Sequence, residues 1–193
     1  MALYVGPDGK KMEIHKTLLA SISPELNKHV NNDMKEGIEG KIHLPEEGEE
    51  ALTLFIEWAY SGDYAHKKSL LERLLKSEDP WQIIHKHLQL CVLSDKFNIP
   101  MLKELAESKF HTEINRIEPS KSDVAGLVMV IGYAYDNLPS SHPIQKFLAQ
   151  YASWKFELLR ETTGLNELIS TQPTFLQEFF RHLNGLTAKP KIP

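Results

Sequence analysis

The chain has 193 residues, enough for one domain or a domain and a half with a real hydrophobic core, and its 41% hydrophobic and 25% charged content excludes wholesale disorder. A formal net charge of -4 with no basic stripe removes the electrostatic basis for nucleic-acid or anionic-membrane binding. The one cysteine, Cys91 in "LQLCVLSDKF", excludes an intramolecular disulfide framework and a thiolate-rich metal site and reads as a small buried hydrophobe. No apolar run approaches the roughly 18 residues that span a bilayer. Nor is there a charged-then-apolar signal segment at the N-terminus, so an intracellular protein of the cytoplasm or nucleus is expected.

In "ALYVGPDGKKMEIHK" two extended runs, Leu3 to Val5 and Met12 to His15, flank Gly6-Pro7-Asp8-Gly9, whose Pro-Asp-Gly sets a turn; this predicts a β-hairpin. The period changes in "TLLASISPELNKHV". Leu18, Leu19 and Ile22 suit a short helix, and Ser23-Pro24-Glu25 supplies an N-cap, a proline at the first helical position and a first-turn acid for a second. The next stretch, "NNDMKEGIEGKIHLP", reads as a polar, glycine-punctuated loop, yet it holds the large apolar Met34 two positions before Glu36. A methionine folded back onto the core is the ordinary explanation. Ile42 and Leu44 then alternate up to Pro45, predicting a third short strand.

In "GEEALTLFIEWAYSGDY", Leu52, Phe55, Ile56 and Ala59 stand at i, i+3, i+4 and i+7 before Ser61-Gly62, predicting an amphipathic helix. Trp58 lies toward one flank of that stripe, placed to reach a partner or the C-terminal helices. Residues 63 to 80 read as a surface excursion with a turn or two of helix, since Ser69-Leu70-Leu71-Glu72 has capping-box spacing and Asp79-Pro80 closes it. The region from Trp81 to His111 is helical but broken at Asn98-Ile99-Pro100, which predicts two antiparallel helices. "EPSKSD" marks a further break, and beyond it the chain is helical throughout. Three apolar stripes follow: Val124, Leu127, Val128 and Ile131; then Ile144, Phe147, Leu148, Tyr151 and Ala152; then Phe175, Leu176, Phe179, Phe180 and Leu183. The final "LTAKPKIP" is expected to fray, and no solenoid repeat is present.

Nine histidines invite a search for metal or catalytic sites. His85 and His87, two apart on a helix, point to different faces, while His29 and Asp33, four apart, share a face but have no third ligand; no metal site or cofactor is expected. There is no G-x-S-x-G elbow, phosphate loop or dinucleotide fingerprint, and "GPDGK" is too short to cradle a phosphate. An enzyme built from distant residues leaves no local motif, so that reading has no support from the sequence. The aromatic pairs Phe179 and Phe180, and Trp154 and Phe156, are read as core.

The order of hairpin, two short helices, strand, helix and helical pair acquires a name at "EIHKTLLASISPEL", which resembles the BTB/POZ domain: His15, Lys16, Leu19, Ala20, Ser23 and Pro24 fill the family's His, basic residue and Leu-Ala-x-x-Ser-Pro positions. The likeness continues through Leu44 and Pro45, the ending Tyr60, Gly62 and Tyr64, and "LSDKFNIPMLKELA", covering residues 3 to about 112. It implies an α+β, mostly α fold: a small three-stranded sheet packed on a helical cluster at residues 1 to 112, with an all-helical C-terminal extension at 113 to 193. The extension, with "YAYDNLPSSHPIQKFLAQYASW", looks like that of many fungal BTB proteins. Leu26 stands where the family has an aromatic, and the family's Asp-Val and strand-exchanging N-terminal helix do not precede the first strand, so homodimers by that route are not expected.

The resemblance implies a protein-protein interaction module without catalytic residues, cofactor or small-molecule substrate. Its most specific version is a substrate adaptor of a cullin-RING ubiquitin ligase. Such adaptors carry an apolar residue, any residue, then Glu before the Leu-Pro strand, the apolar side chain entering a pocket on the cullin's N-terminal helices. Met34-Lys35-Glu36 matches in type, spacing and place, making Met34 and Glu36 the candidate partner-binding residues. The alternative is a homo- or hetero-oligomerisation scaffold, in transcriptional regulation for example.

Overall fold

In the computed structural model of the chain, residues 1–31, 35–64, 79–140, 142–183 and 189–190 are described, with the side chains of Lys35 and Glu36 left aside. They fall into two compact units, residues 1–78 with 89–106 and residues 79–88 with 107–193. The predicted hairpin opens the first. Strand β1 (Ala2–Val5) pairs antiparallel with β2 (Lys10–Glu13), with Ala2 opposite Glu13 and Val5 opposite Lys10. On its other edge β1 pairs in parallel with β3 (Lys41–Leu44), giving the order β2-β1-β3. The period-2 alternation sends Leu3, Val5 and Ile42 into the core and leaves Tyr4 to stack on His43 outside, ring centroids 4.9 Å apart.

Helices α1 (Lys16–Ile22) and α2 (Pro24–Val30) follow as predicted. The Ser23 hydroxyl accepts from the Leu26 N–H at 2.9 Å, and Pro24 occupies the first helical position. Leu19, Leu26 and Val30 are buried beneath the sheet residues, where an apolar cavity of about 10 Å³, lined by Leu3, Leu26 and Phe55 among others, is scarcely large enough for one water.

The stretch read as a loop contains a short helix, α3 (Lys35–Glu39). Gly37 in its middle argues against helix, but Gly40 stops it at φ 67°, a left-handed conformation that favours glycine and turns the chain into β3. The next helix, α4 (Glu49–Ser61), forms where predicted, with the Gly62 N–H returning to the Trp58 carbonyl at 2.8 Å. Its buried face is turned toward Ala51, Leu52 and Phe55, leaving Ile56 and Ala59 half-buried, and Trp58 packs on the Phe55 ring at 6.2 Å. Of the excursion predicted at 63 to 80, residues 65–78, which include the Ser69 to Glu72 spacing, lie outside the described residues.

Helices α5 (Pro80–Lys96) and α6 (Pro100–Arg116) are separated at the predicted break. Asn98 takes φ 50°, which asparagine tolerates better than most residues, and the Ile99 N–H closes the end of α5 on the Ser94 carbonyl at 2.8 Å.

The regular structure of the second unit, among the described residues, is all helical. A 3-10 turn (Lys121–Asp123), capped reciprocally by Ser120 and Asp123, leads into α7 (Val124–Asn137), followed by α8 (Pro143–Trp154), α9 (Phe156–Leu159), α10 (Thr163–Thr171) and α11 (Pro173–Leu183). All five predicted stripe residues of α8 are buried. On α7 the buried row is Val124, Leu127, Ile131 and Ala134 with Val130 beside it, so the core lies on the Val130 side and Val128 is half-buried. On α11, Phe175 and Phe179 are buried but Phe180 is 55% exposed, a correction to its reading as core. The reason is polar: Glu178, one turn from Phe175, takes the inner position, and its carboxylate accepts the single Tyr135 hydroxyl proton at 2.6 Å, with the Gln145 carbonyl 3.0 Å from the same hydroxyl. The expected fraying does not reach Lys189 and Pro190, of which Pro190 is buried; the rest of that tail lies outside the described residues.

Trp81, in the first turn of α5 and in the second unit, is buried, and its indole N–H donates to Asp123 at 3.1 Å. It lies so close to α7 that a Cβ on Gly126 would sit 2.2 Å from the ring. Replacing Gly126→Ala must push the rigid indole or the helix aside, and we expect a loss of about 1–3 kcal/mol in urea unfolding despite the higher helix propensity of alanine.

Candidate partner-docking site

The segment between α2 and β3 is held at both ends. Val30 is buried at the end of α2, and β3 is hydrogen-bonded along β1, with the Ala2 N–H donating to the Gly40 carbonyl at 2.9 Å. Between these anchors the described residues present Ile38, 76% exposed, beside the Glu39 carboxylate and the Lys41 ammonium, which pair at 3.3 Å. A single exposed apolar side chain is ordinary on a protein surface, and Met101 is exposed to the same degree; Ile38 is singled out by its place two residues beyond Glu36 on α3. Of the two residues singled out from sequence, Met34 lies outside the described residues, and Glu36 is placed only as the second residue of α3. Ile38 escaped the sequence reading because a single isoleucine between Gly37 and Glu39 has no periodic companion.

The family-like residues elsewhere are structural. The His15 N–H donates to the Tyr60 hydroxyl at 3.0 Å, and that hydroxyl lies 2.6 Å from His15 Nδ1, so one phenol joins the start of α1 to the end of α4, 45 positions away. A phenol that accepts from the backbone N–H has its own proton free for Nδ1, leaving the ring hydrogen on Nε2. Leu19 and Tyr64 are buried, and Ser23 and Pro24 start α2. Burial pushes the Tyr64 hydroxyl far above its ordinary pKa, so it stays neutral.

Among the described residues no three His, Cys, Asp or Glu side chains gather to hold a metal ion, and no helix is long and apolar enough to cross a membrane. His85 meets Tyr133 edge to face at 4.6 Å, whereas His87 is buried. Asp33, the possible companion of His29, lies outside the described residues.

The BTB/POZ domain family matches residues 1–114. The chain therefore belongs to the BTB/POZ family, whose domains are protein-protein interaction modules. No curated protein shows significant similarity to it.

The buried histidines make one stability prediction. Burial, reinforced by the charges of Lys109 and Lys86, pushes His87 down from 6.5 to about 4, and burial lowers His111 as well. Between those values the unfolded chain binds the proton that the folded chain refuses, so stability is full above pH 6.5 and is lost as the pH falls toward 4. For His87 the loss approaches about 3 kcal/mol. Urea unfolding at pH 7 and pH 4.5 checks it: the wild type should lose more stability on acidification than His87→Gln does.

Proposed function

We propose that this BTB domain is a substrate adaptor that docks on the N-terminal domain of a cullin scaffold, with Met34 as the apolar anchor and Glu36 ordering the loop or its contacts. It acts through binding alone, with no catalytic step of its own. The reading is supported by the likeness of Met34-Lys35-Glu36 to the family's apolar-x-Glu motif. The observation that carries it is Ile38, 76% exposed on α3 two residues beyond Glu36, which extends the apolar character of the same segment. Covering one such side chain removes apolar area worth about 1.5–3 kcal/mol, and methionine is a side chain flexible enough to adapt to the shape of a pocket.

Calorimetric titration against a cullin N-terminal domain tests this. The wild type should bind, and Met34→Ala with Glu36→Ala should weaken binding by roughly tenfold to a hundredfold, as the loss of one or two anchor contacts does. No binding by the wild type, or binding unchanged in the double variant, removes the proposal. Oligomers seen by light scattering at micromolar concentration, together with a failure to bind the cullin, would leave self-association as the function.

A further inference from the structure

We infer that the carboxyl end of α6 and the aromatic end of α8 form a recognition site for a Lys-Pro segment, occupied here by the chain's own Lys189-Pro190 and able to take a Lys-Pro segment of a partner protein in exchange. The Lys189 ammonium donates to the carbonyl oxygen of Asn115 at 2.7 Å and to that of Ile117 at 3.0 Å. These carbonyls lie in the last turn of α6 and just beyond it, where helix geometry leaves them without helical donors and the helix dipole favours a cation.

The rest of the surroundings also suit an ammonium. Glu118 Oε1 lies 3.7 Å from it, the Trp154 ring centroid 5.6 Å and the Tyr151 centroid 6.0 Å, within the reach of cation-π attraction. The Tyr151 hydroxyl donates to the same Ile117 carbonyl at 3.4 Å, tying the two walls together. Glu118 also holds Lys155 at 3.6 Å, whose ammonium sits 3.8 Å over the Trp154 ring. Two donors of the ammonium therefore meet carbonyls, and the Glu118 carboxylate stands at ion-pair distance.

Each of these partners comes from residues 115–118 and 151–154, so the site is complete without its covalent link to Lys189. A lysine before proline is held extended, which separates the ammonium from the ring, and Pro190 is buried. A guanidinium, planar and forked, does not match the two carbonyls and carboxylate as a compact ammonium does. The tethered Lys189-Pro190 competes at high effective concentration, so a partner is admitted only when its Lys-Pro segment is brought close by other contacts. This site is independent of the cullin reading and of residues 34 to 38.

The test titrates a synthetic peptide of residues 186–193, LTAKPKIP, into the full-length wild type and into full-length Lys189→Ala. Removing the tethered competitor should make the peptide bind at least about tenfold more tightly to the variant, while the same peptide carrying Lys189→Ala binds neither despite keeping Lys191. Equal binding to both chains, or none to the variant, overturns the inference. Should the variant fail to melt cooperatively, the wild type decides: millimolar peptide must shift the Trp154 indole N–H resonance, and an unmoved resonance overturns it.

Discussion

Strand β1 is hydrogen-bonded on both edges, and the order of the first unit follows from that. Its four residues satisfy β2 on one side and β3 on the other, and without it neither flanking strand has a partner. Antiparallel pairing to β2 needs only a tight turn, but parallel pairing to β3 forces the chain to cross over and return in the same direction. That connection runs through β2 and then α1, α2 and α3, and burial of Leu19, Leu26 and Val30 holds its helices. The backbone bond from Ala2 to Gly40 continues the pairing past the strand end and sets where the chain emerges between α3 and β3. The segment bearing Ile38 is thus displayed from a clamped base, which lowers the conformational entropy lost when a partner covers it.

Much of this was legible in the residues because local chemistry and long-range packing agree. Pro7-Asp8-Gly9 between two extended runs, Ser23 before Pro24, and Pro100 after Asn98 each admit few conformations, and the chain adopts them. The five-residue stripe of α8 is buried as predicted, and the polar Gln145 and Ser153 buried on the same helix are paired with backbone carbonyls. The misses occur where one residue overrides a pattern. Gly37 hid α3, and Glu178, bonded to Tyr135, took an inner place on α11 and turned Phe180 outward. No periodicity rule anticipates a buried carboxylate whose partner stands 43 positions away.

The candidate docking residues were legible only by resemblance. Met34 and Glu36 carry no periodic or catalytic signature, and three residues in a polar loop acquire meaning only once the strand after them is recognised. Ile38 carries no sequence signal, since exposure of a lone isoleucine is a property of the fold. Likewise, lysine and proline near the end of a chain are an ordinary pattern, and only the carbonyls of Asn115 and Ile117 give Lys189 a role. The BTB/POZ match ends at residue 114, within α6, so α7 to α11 and the Lys189 site lie outside what the family describes.

The proposed function divides the labour of the first unit: β1 and the side chains beneath it carry the fold, while binding is assigned by that proposal to the segment from Met34 to Ile38. Urea unfolding of Leu3→Ala beside a Met34→Ala, Ile38→Ala double variant tests it most directly. Truncating the buried Leu3 should cost about 2–5 kcal/mol, and truncating both docking residues should cost under about 0.5 kcal/mol each. A double variant as unstable as Leu3→Ala would mean that these side chains serve the core, and the division would not hold.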